Sequence, residues 1–62
     1  MMVTKDMTIG EILRTVNGAD EVLRRNGMHC VGCPSAQMES IADACVVHGM
    51  DINKVLSELN AL

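Results

Sequence analysis

Residues 26–51 read NGMHCVGCPSAQMESIADACVVHGMD, and the way this stretch divides into helices decides the fold. It begins and ends on the same signal. Asn26-Gly27-Met28 and His48-Gly49-Met50 each place a glycine where a helix would finish and an apolar residue after it. That is the pattern of a Schellman stop, in which the residue after the glycine packs back on the last helical turn. On this reading Met28 returns to Leu23 and Met50 returns to Cys45. Between the two stops, Pro34 suits the first position of a helix and drives Cys33 out of the α region, so Cys33 is expected at an N-cap. A helix is predicted from Pro34 to about His48, with Met38, Ile41, Ala42 and Cys45 toward the core and Ala36, Ser40, Asp43 and Val47 on the opposite side.

Working outward, Thr8-Ile9-Gly10-Glu11 matches the capping box, with Met7 and Ile12 placed as a hydrophobic staple. Ile9, Ile12, Leu13 and Val16 then follow the i, i+3, i+4, i+7 spacing of one helical stripe, and Asn17-Gly18 stops it. A second helix is predicted over about Ala19–Asn26, capped by Asn17 or Gly18, with Asp20 and Glu21 in its first turn and Arg24 and Arg25 in its last, the arrangement that suits the helix dipole. At the other end Asp51 caps a last helix whose Ile52, Val55, Leu56 and Leu59 repeat the stripe, with Met50 and Val55 as a second staple. No segment alternates with period two. The expected fold is therefore all-α, a compact irregular bundle of four short helices in a single domain spanning residues 1–62.

A chain of 62 residues buries only about 60% of the surface it exposes when unfolded, so it has little core to spare. The absence of Phe, Trp and Tyr leaves aliphatic and Met side chains to fill that core and removes any aromatic platform for stacking a flavin, base or sugar. A net charge of −3 argues against binding a phosphate backbone, so nucleic acid is not expected as a partner. No apolar run approaches a membrane span, and MMVTKDMTIG lacks the apolar segment of a secretory signal, so a cytoplasmic protein with no membrane partner is expected. No Ser/His/Asp arrangement, paired-carboxylate cleft or Gly-rich phosphate loop is present to suggest a hydrolase or a nucleotide enzyme.

The chemistry lies in Cys30 and Cys33, at CxxC spacing in a chain with one further cysteine, Cys45. Three roles are open to the pair. A structural disulfide across so small a loop stabilises little, about 2 kcal/mol by chain entropy, and reducing conditions oppose it. A metal site, zinc or iron, would draw on Cys30, Cys33 and His29, pooled across two chains if it needs four ligands. Cys45 and His48 complete the inventory, but on a continuous helix Cys33 and Cys45 stand about 18 Å apart along the axis, beyond shared coordination. Covalent haem would require a histidine where Pro34 stands.

A thiol couple has the most direct physical support, and with it no resident cofactor is expected. At an N-cap the sulfur of Cys33 can accept hydrogen bonds from the Ser35 and Ala36 amides at the positive end of the helix, which favours the thiolate. His29, when protonated, and Arg24 or Arg25 would add to this if the turn brings them close. Cys30 then pairs with Cys33 in a disulfide that depends on ambient potential, and which sulfur attacks first is left open. Cys45 is read as a buried, inert thiol, His48 as a residue of the last helical turn that suits the dipole, and Val47 as an isolated apolar residue on a polar face.

The run VLRRNGMHCVGCPSAQMESIADACVVHGMDINKVLSELN, with MTIGEIL before it, resembles the small helical family described as the hybrid-cluster-protein-associated redox disulfide domain. The resemblance spans nearly the whole chain and is most specific at Gly27-Met28-His29-Cys30-Val31-Gly32-Cys33-Pro34, supported by His48-Gly49-Met50-Asp51 and the closing Leu59-Asn60. It implies a four-helix fold, a reversible Cys30–Cys33 disulfide, and a larger redox or iron–sulfur protein of anaerobic metabolism as partner. More distantly the chain looks like the N-terminal domain of the di-iron proteins that repair iron–sulfur clusters.

Overall fold

Two helix starts meet at one point, and the junction sets the architecture. The computed structural model describes residues 2–29 and 31–62. These form α1 (Ile9–Thr15), α2 (Ala19–Arg25), α3 (Pro34–Gln37), α4 (Ile41–His48) and α5 (Ile52–Asn60). Thr8, the N-cap of α1, and Ser40, the N-cap of α4, face each other in an isolated antiparallel bridge. The first amides of a helix have no partner within it, and here each start borrows carbonyls from the other segment. Ile9 N–H donates to the Glu39 carbonyl at 2.9 Å, Ile41 N–H to Met7 at 2.8 Å and Ala42 N–H to Lys5 at 3.1 Å. Side chains complete both caps, Thr8 Oγ1 accepting from Glu11 N–H and Ser40 Oγ from Asp43 N–H, each at 3.1 Å.

This junction corrects the single helix expected from Pro34 to His48. The chain forms one turn, α3, leaves the helical path around Met38–Ser40, and starts again as α4. The physical reason is that Ser40 (ψ 156°) is extended, and the Glu39 carbonyl and the Ile41 and Ala42 amides are spent on residues 5–9 rather than on a continuing helix. The break rotates the faces. Met38, expected inside, is 80% exposed, and Ala36, expected outside, is buried at 8%. Ala44 joins the core, Ile41 and Cys45 stay buried as expected, and Ala42 is half-buried.

The other boundaries follow the sequence. Ile9 and Ile12 are fully buried, with Leu13 and Val16 packed partly against the core, as the stripe of α1 requires. Gly18 (φ 88°) starts α2 without a side-chain cap. The first Schellman stop forms as read: Gly27 takes φ 114°, Gly27 N–H reaches the Arg24 carbonyl at 3.1 Å, and Met28 N–H reaches Leu23 at 3.0 Å. Its twin places Gly49 at φ 68° with Met50 N–H on the Cys45 carbonyl at 2.8 Å. Asp51 Oδ1 caps α5 through the Asn53 and Lys54 amides at 3.0 and 3.4 Å.

The core is aliphatic, with Met28 and Met50 as its buried methionines. Ile9, Ile12, Val22, Leu23, Met28, Ile41, Val55 and Leu59 are its largest fully buried side chains. Val3 joins them from the extended leading segment, held by the Asn60 side chain, which accepts from Val3 N–H at 2.7 Å and donates to the Val3 carbonyl at 3.2 Å. The molecule is thus a small bundle of short helices, with no strand among the described residues.

Candidate functional site

Cys33 stands at a helix N-cap, as the sequence suggests. Its backbone is extended (φ −73°, ψ 132°), Pro34 opens α3, and the residue is exposed. The Cys33 carbonyl accepts the Gln37 amide at 3.0 Å, closing the turn. One expectation fails: the Cys33 side chain makes no capping hydrogen bond, so the Ser35 and Ala36 amides do not hold its sulfur. A helix of four residues also sums few peptide dipoles. What the geometry gives Cys33 is exposure, not helix-start stabilisation of its sulfur. Cys30, named as its partner, lies outside the described residues.

Between the two cysteines, Val31 and Gly32 form a turn. Val31 is half-buried and packs on the core, and its carbonyl accepts a hydrogen bond from Gln37 Nε2 at 3.2 Å. Gly32 is exposed, and a Cβ added there would meet no atom of the described residues within 4 Å, so none of them demands a glycine at this point. Gln37 also sits hard against α1. A Cβ on Gly10 would lie 3.1 Å from the Gln37 carbonyl oxygen and 3.2 Å from Gln37 Cβ, so the close approach of α1 and α3 depends on Gly10 having none. Neither Gln37 nor Gly10 was singled out from the sequence. A glycine in the first turn of a good helical stripe was the available signal for Gly10; for Gln37 there was none.

The cationic residues offered as tuning groups are committed elsewhere. The Arg24 guanidinium pairs with Asp20 one turn earlier on α2. Arg25 Nη2 reaches Glu58 Oε1 on α5 at 3.1 Å, with Asn26 Nδ2 on the same oxygen at 3.2 Å. Those hydrogen bonds, from Asn26 first and then Arg25, hold the Glu58 carboxyl below the usual carboxylate range. His29 is exposed directly after the buried Met28, so of the proposed tuning residues it alone sits beside the pair in sequence with no ion-pair partner among the described residues.

Cys45 and His48 do not join the site. Cys45 is buried at 3%, and burial, followed by the nearby Asp51 carboxylate, raises its thiol above the ordinary range. His48 is exposed in the last turn of α4. Because α3 and α4 are separate, the distance argument against Cys33 and Cys45 sharing a metal loses its premise. Among the described residues, however, no group of three or more His, Cys, Asp or Glu side chains is placed to hold an ion. Val47 is exposed as expected, but Val46 beside it is 83% exposed, so the outer side of α4 carries an apolar pair rather than a single residue.

A bundle of short helices presenting one cysteine of a CxxC pair on its surface defines the class. Within it, the chain belongs to the family described as a domain of unknown function, DUF1858, whose model matches residues 3–56. It is similar to an NMR solution structure of a protein from Clostridium thermocellum, a structural-genomics target. The two share 51% identity with a TM-score of 0.85, over 98% of this chain and 87% of the other. No curated protein matches. Among the described residues, no helix is long and apolar enough to cross a membrane.

Proposed function

We propose that the domain is a small thiol–disulfide redox module, working in the cytoplasm through a reversible Cys30–Cys33 couple. The observation that carries the reading is the position of Cys33: exposed, at the mouth of a proline-initiated turn of helix, and three residues from a second cysteine. In such a couple each thiol gives up one proton and one electron as the S–S bond forms, and an oxidised partner takes up both electrons. The partner is a larger redox or iron–sulfur protein, in keeping with the family resemblance noted from the sequence. With no sheet among the described residues, and with the pocket beside Val3, Leu59 and Leu62 lined by no residue of the 29–34 stretch, we read the domain as a carrier or accessory module rather than an enzyme acting on metabolites.

The test is an intact-mass titration of the Cys45→Ala variant across defined glutathione potentials. The expected result is loss of about 2 Da on oxidation with a midpoint within the cytosolic range. The result that overturns the reading is a chain that stays reduced throughout, or stoichiometric zinc or iron in protein purified under reducing conditions and lost on Cys30→Ser. The latter would make Cys30, Cys33 and His29 metal ligands instead.

A further inference from the structure

We propose that Gln37 is the positioning residue of the Cys30–Cys33 couple, its side-chain amide clamping the peptide between the two cysteines onto the body of the fold. The inference rests on the redox reading above and deepens it. Three contacts converge on this one residue. Its Nε2 donates to the Val31 carbonyl at 3.2 Å, inside the CxxC loop. Its backbone amide donates to the Cys33 carbonyl at 3.0 Å, at the end of that loop. Its own carbonyl and Cβ press on α1 at the position where Gly10 leaves room. Gln37 therefore links the Val31 and Cys33 carbonyls to the first helix of the bundle, and α1 is in turn fixed by two fully buried isoleucines, Ile9 and Ile12.

The chemistry that follows is one of preorganisation. Val31 and Gly32 form the turn between the cysteines, and a disulfide there requires a Cα separation of roughly 4.4–6.8 Å. When glutathione disulfide oxidises the pair, its S–S bond breaks, the Cys30–Cys33 bond forms, and the two thiol protons and two electrons leave with two glutathione thiols. A dithiol already held in the turn loses less freedom in that step than a loose one. Removing the clamp frees the reduced loop more than the oxidised one, which the new bond constrains by itself. The couple then becomes easier to reduce.

The experiment is the glutathione titration run in the Cys45→Ala background on four proteins: the parent, Gln37→Leu, Gln37→Glu and Ser40→Ala. Gln37→Leu removes the donor, and Gln37→Glu keeps the shape but sets an acceptor against the Val31 carbonyl. Ser40→Ala removes the cap of α4, where Ser40 Oγ accepts from Asp43 N–H, a stability loss of similar size that leaves the Gln37–Val31 hydrogen bond in place. The expected result is a drop of about fivefold in the equilibrium constant for disulfide formation in both Gln37 variants, the size of one lost hydrogen bond. At about 30 mV per tenfold this is a midpoint less negative by about 20 mV, with Ser40→Ala unchanged.

A parent that cycles while the Gln37 variants titrate with it overturns the inference and leaves the redox reading standing; so does a Ser40→Ala shift equal to theirs. A parent that forms no disulfide overturns both. Far-UV circular dichroism checks the fold of each variant. If Gln37→Leu unfolds, Gln37→Glu decides, and loss of helix in both marks Gln37 as a folding residue and sinks the proposal.

Discussion

Cys33 and Cys45 lie twelve positions apart in the sequence and in opposite surroundings. Cys33 stands exposed in front of a single turn of helix, while Cys45 is 3% exposed in the last turn of α4, its carbonyl taken by the Met50 amide at 2.8 Å. The difference comes from the backbone around each thiol. Cys45 holds the place in the second Schellman stop that Leu23 holds in the first, and in both stops the residue after the glycine, Met50 or Met28, is buried with it. A thiol in that register becomes core whatever its intrinsic reactivity. Cys33 precedes a proline, at a point where the chain enters a helix from outside, and stays accessible. One structural device hides a sulfur and another presents one.

The largest expected consequence is kinetic. In a Cys30→Ser background with two thiols remaining, iodoacetamide at neutral pH should modify Cys33 at the rate of an accessible thiol. Cys45 should wait for opening of the bundle. If that opening costs about 4 kcal/mol, near the lower end for a small domain, the two rates differ by about a thousandfold. Peptide mass spectrometry over a time course measures the ratio, and adding denaturant should collapse it. Similar rates under native conditions would break the comparison, because α4 would then open far more readily than its buried Ile41, Ala44 and Cys45 allow.

Serine substitutions read the same contrast as stability. Cys45→Ser replaces a buried apolar thiol with a hydroxyl and should cost about 1–3 kcal/mol, since the new group needs a hydrogen-bond partner in an aliphatic core. In a domain of this size each kcal/mol lowers the melting temperature by roughly 4–8 °C. Cys33→Ser changes an exposed position and should stay within about 0.5 kcal/mol of the parent. Thermal melts under reducing conditions check both. A costly Cys33→Ser would mean that the thiol side chain itself holds the loop, leaving less for Gln37 to do.

Much of this arrangement was legible beforehand because it depends on local signals. Both glycine stops, the Thr8 and Asp51 caps and the stripes of α1 and α5 are contained within a few residues each, and they formed where the residues indicated. The break between α3 and α4 also had a local mark, Ser40 with Asp43 three residues on, which is the start of a capping box with Asp in place of Glu. It was outweighed by the apolar spacing of Met38, Ile41 and Cys45, which is compatible with one long helix. What decides between the two is the leading segment, whose Lys5 and Met7 carbonyls take the first amides of α4, a long-range pairing that no helical period records. The burial of Val3 by Asn60 was invisible for the same reason. At the site, the N-cap position of Cys33 was legible from Pro34. The failed sulfur cap was not, because it follows from the shortness of α3, and the Gln37 clamp was not, because it joins a helix to a loop six residues back.

The smallest effects are in pH dependence, and the two shifted groups act with opposite sign. Burial, with the Asp51 carboxylate second, makes the folded chain hold the Cys45 proton to higher pH than the unfolded chain does. Stability from this source is therefore complete below the range of an ordinary thiol, about 8.5, and declines as pH climbs from there toward the folded value. Urea midpoints between about pH 8 and 10 should fall for the parent and fall less for Cys45→Ala. Asp51→Asn, which keeps a side chain able to cap α5, should lie between them; an equal slope in all three would remove Cys45 as its source. Glu58 runs the other way: its carboxyl is held low by Asn26 and Arg25, so its contribution is present above the usual carboxylate range and is lost as acid carries the pH down through the folded value. Glu58→Gln should flatten a weak acid slope, and the pair's exposure to solvent and salt keeps that slope small.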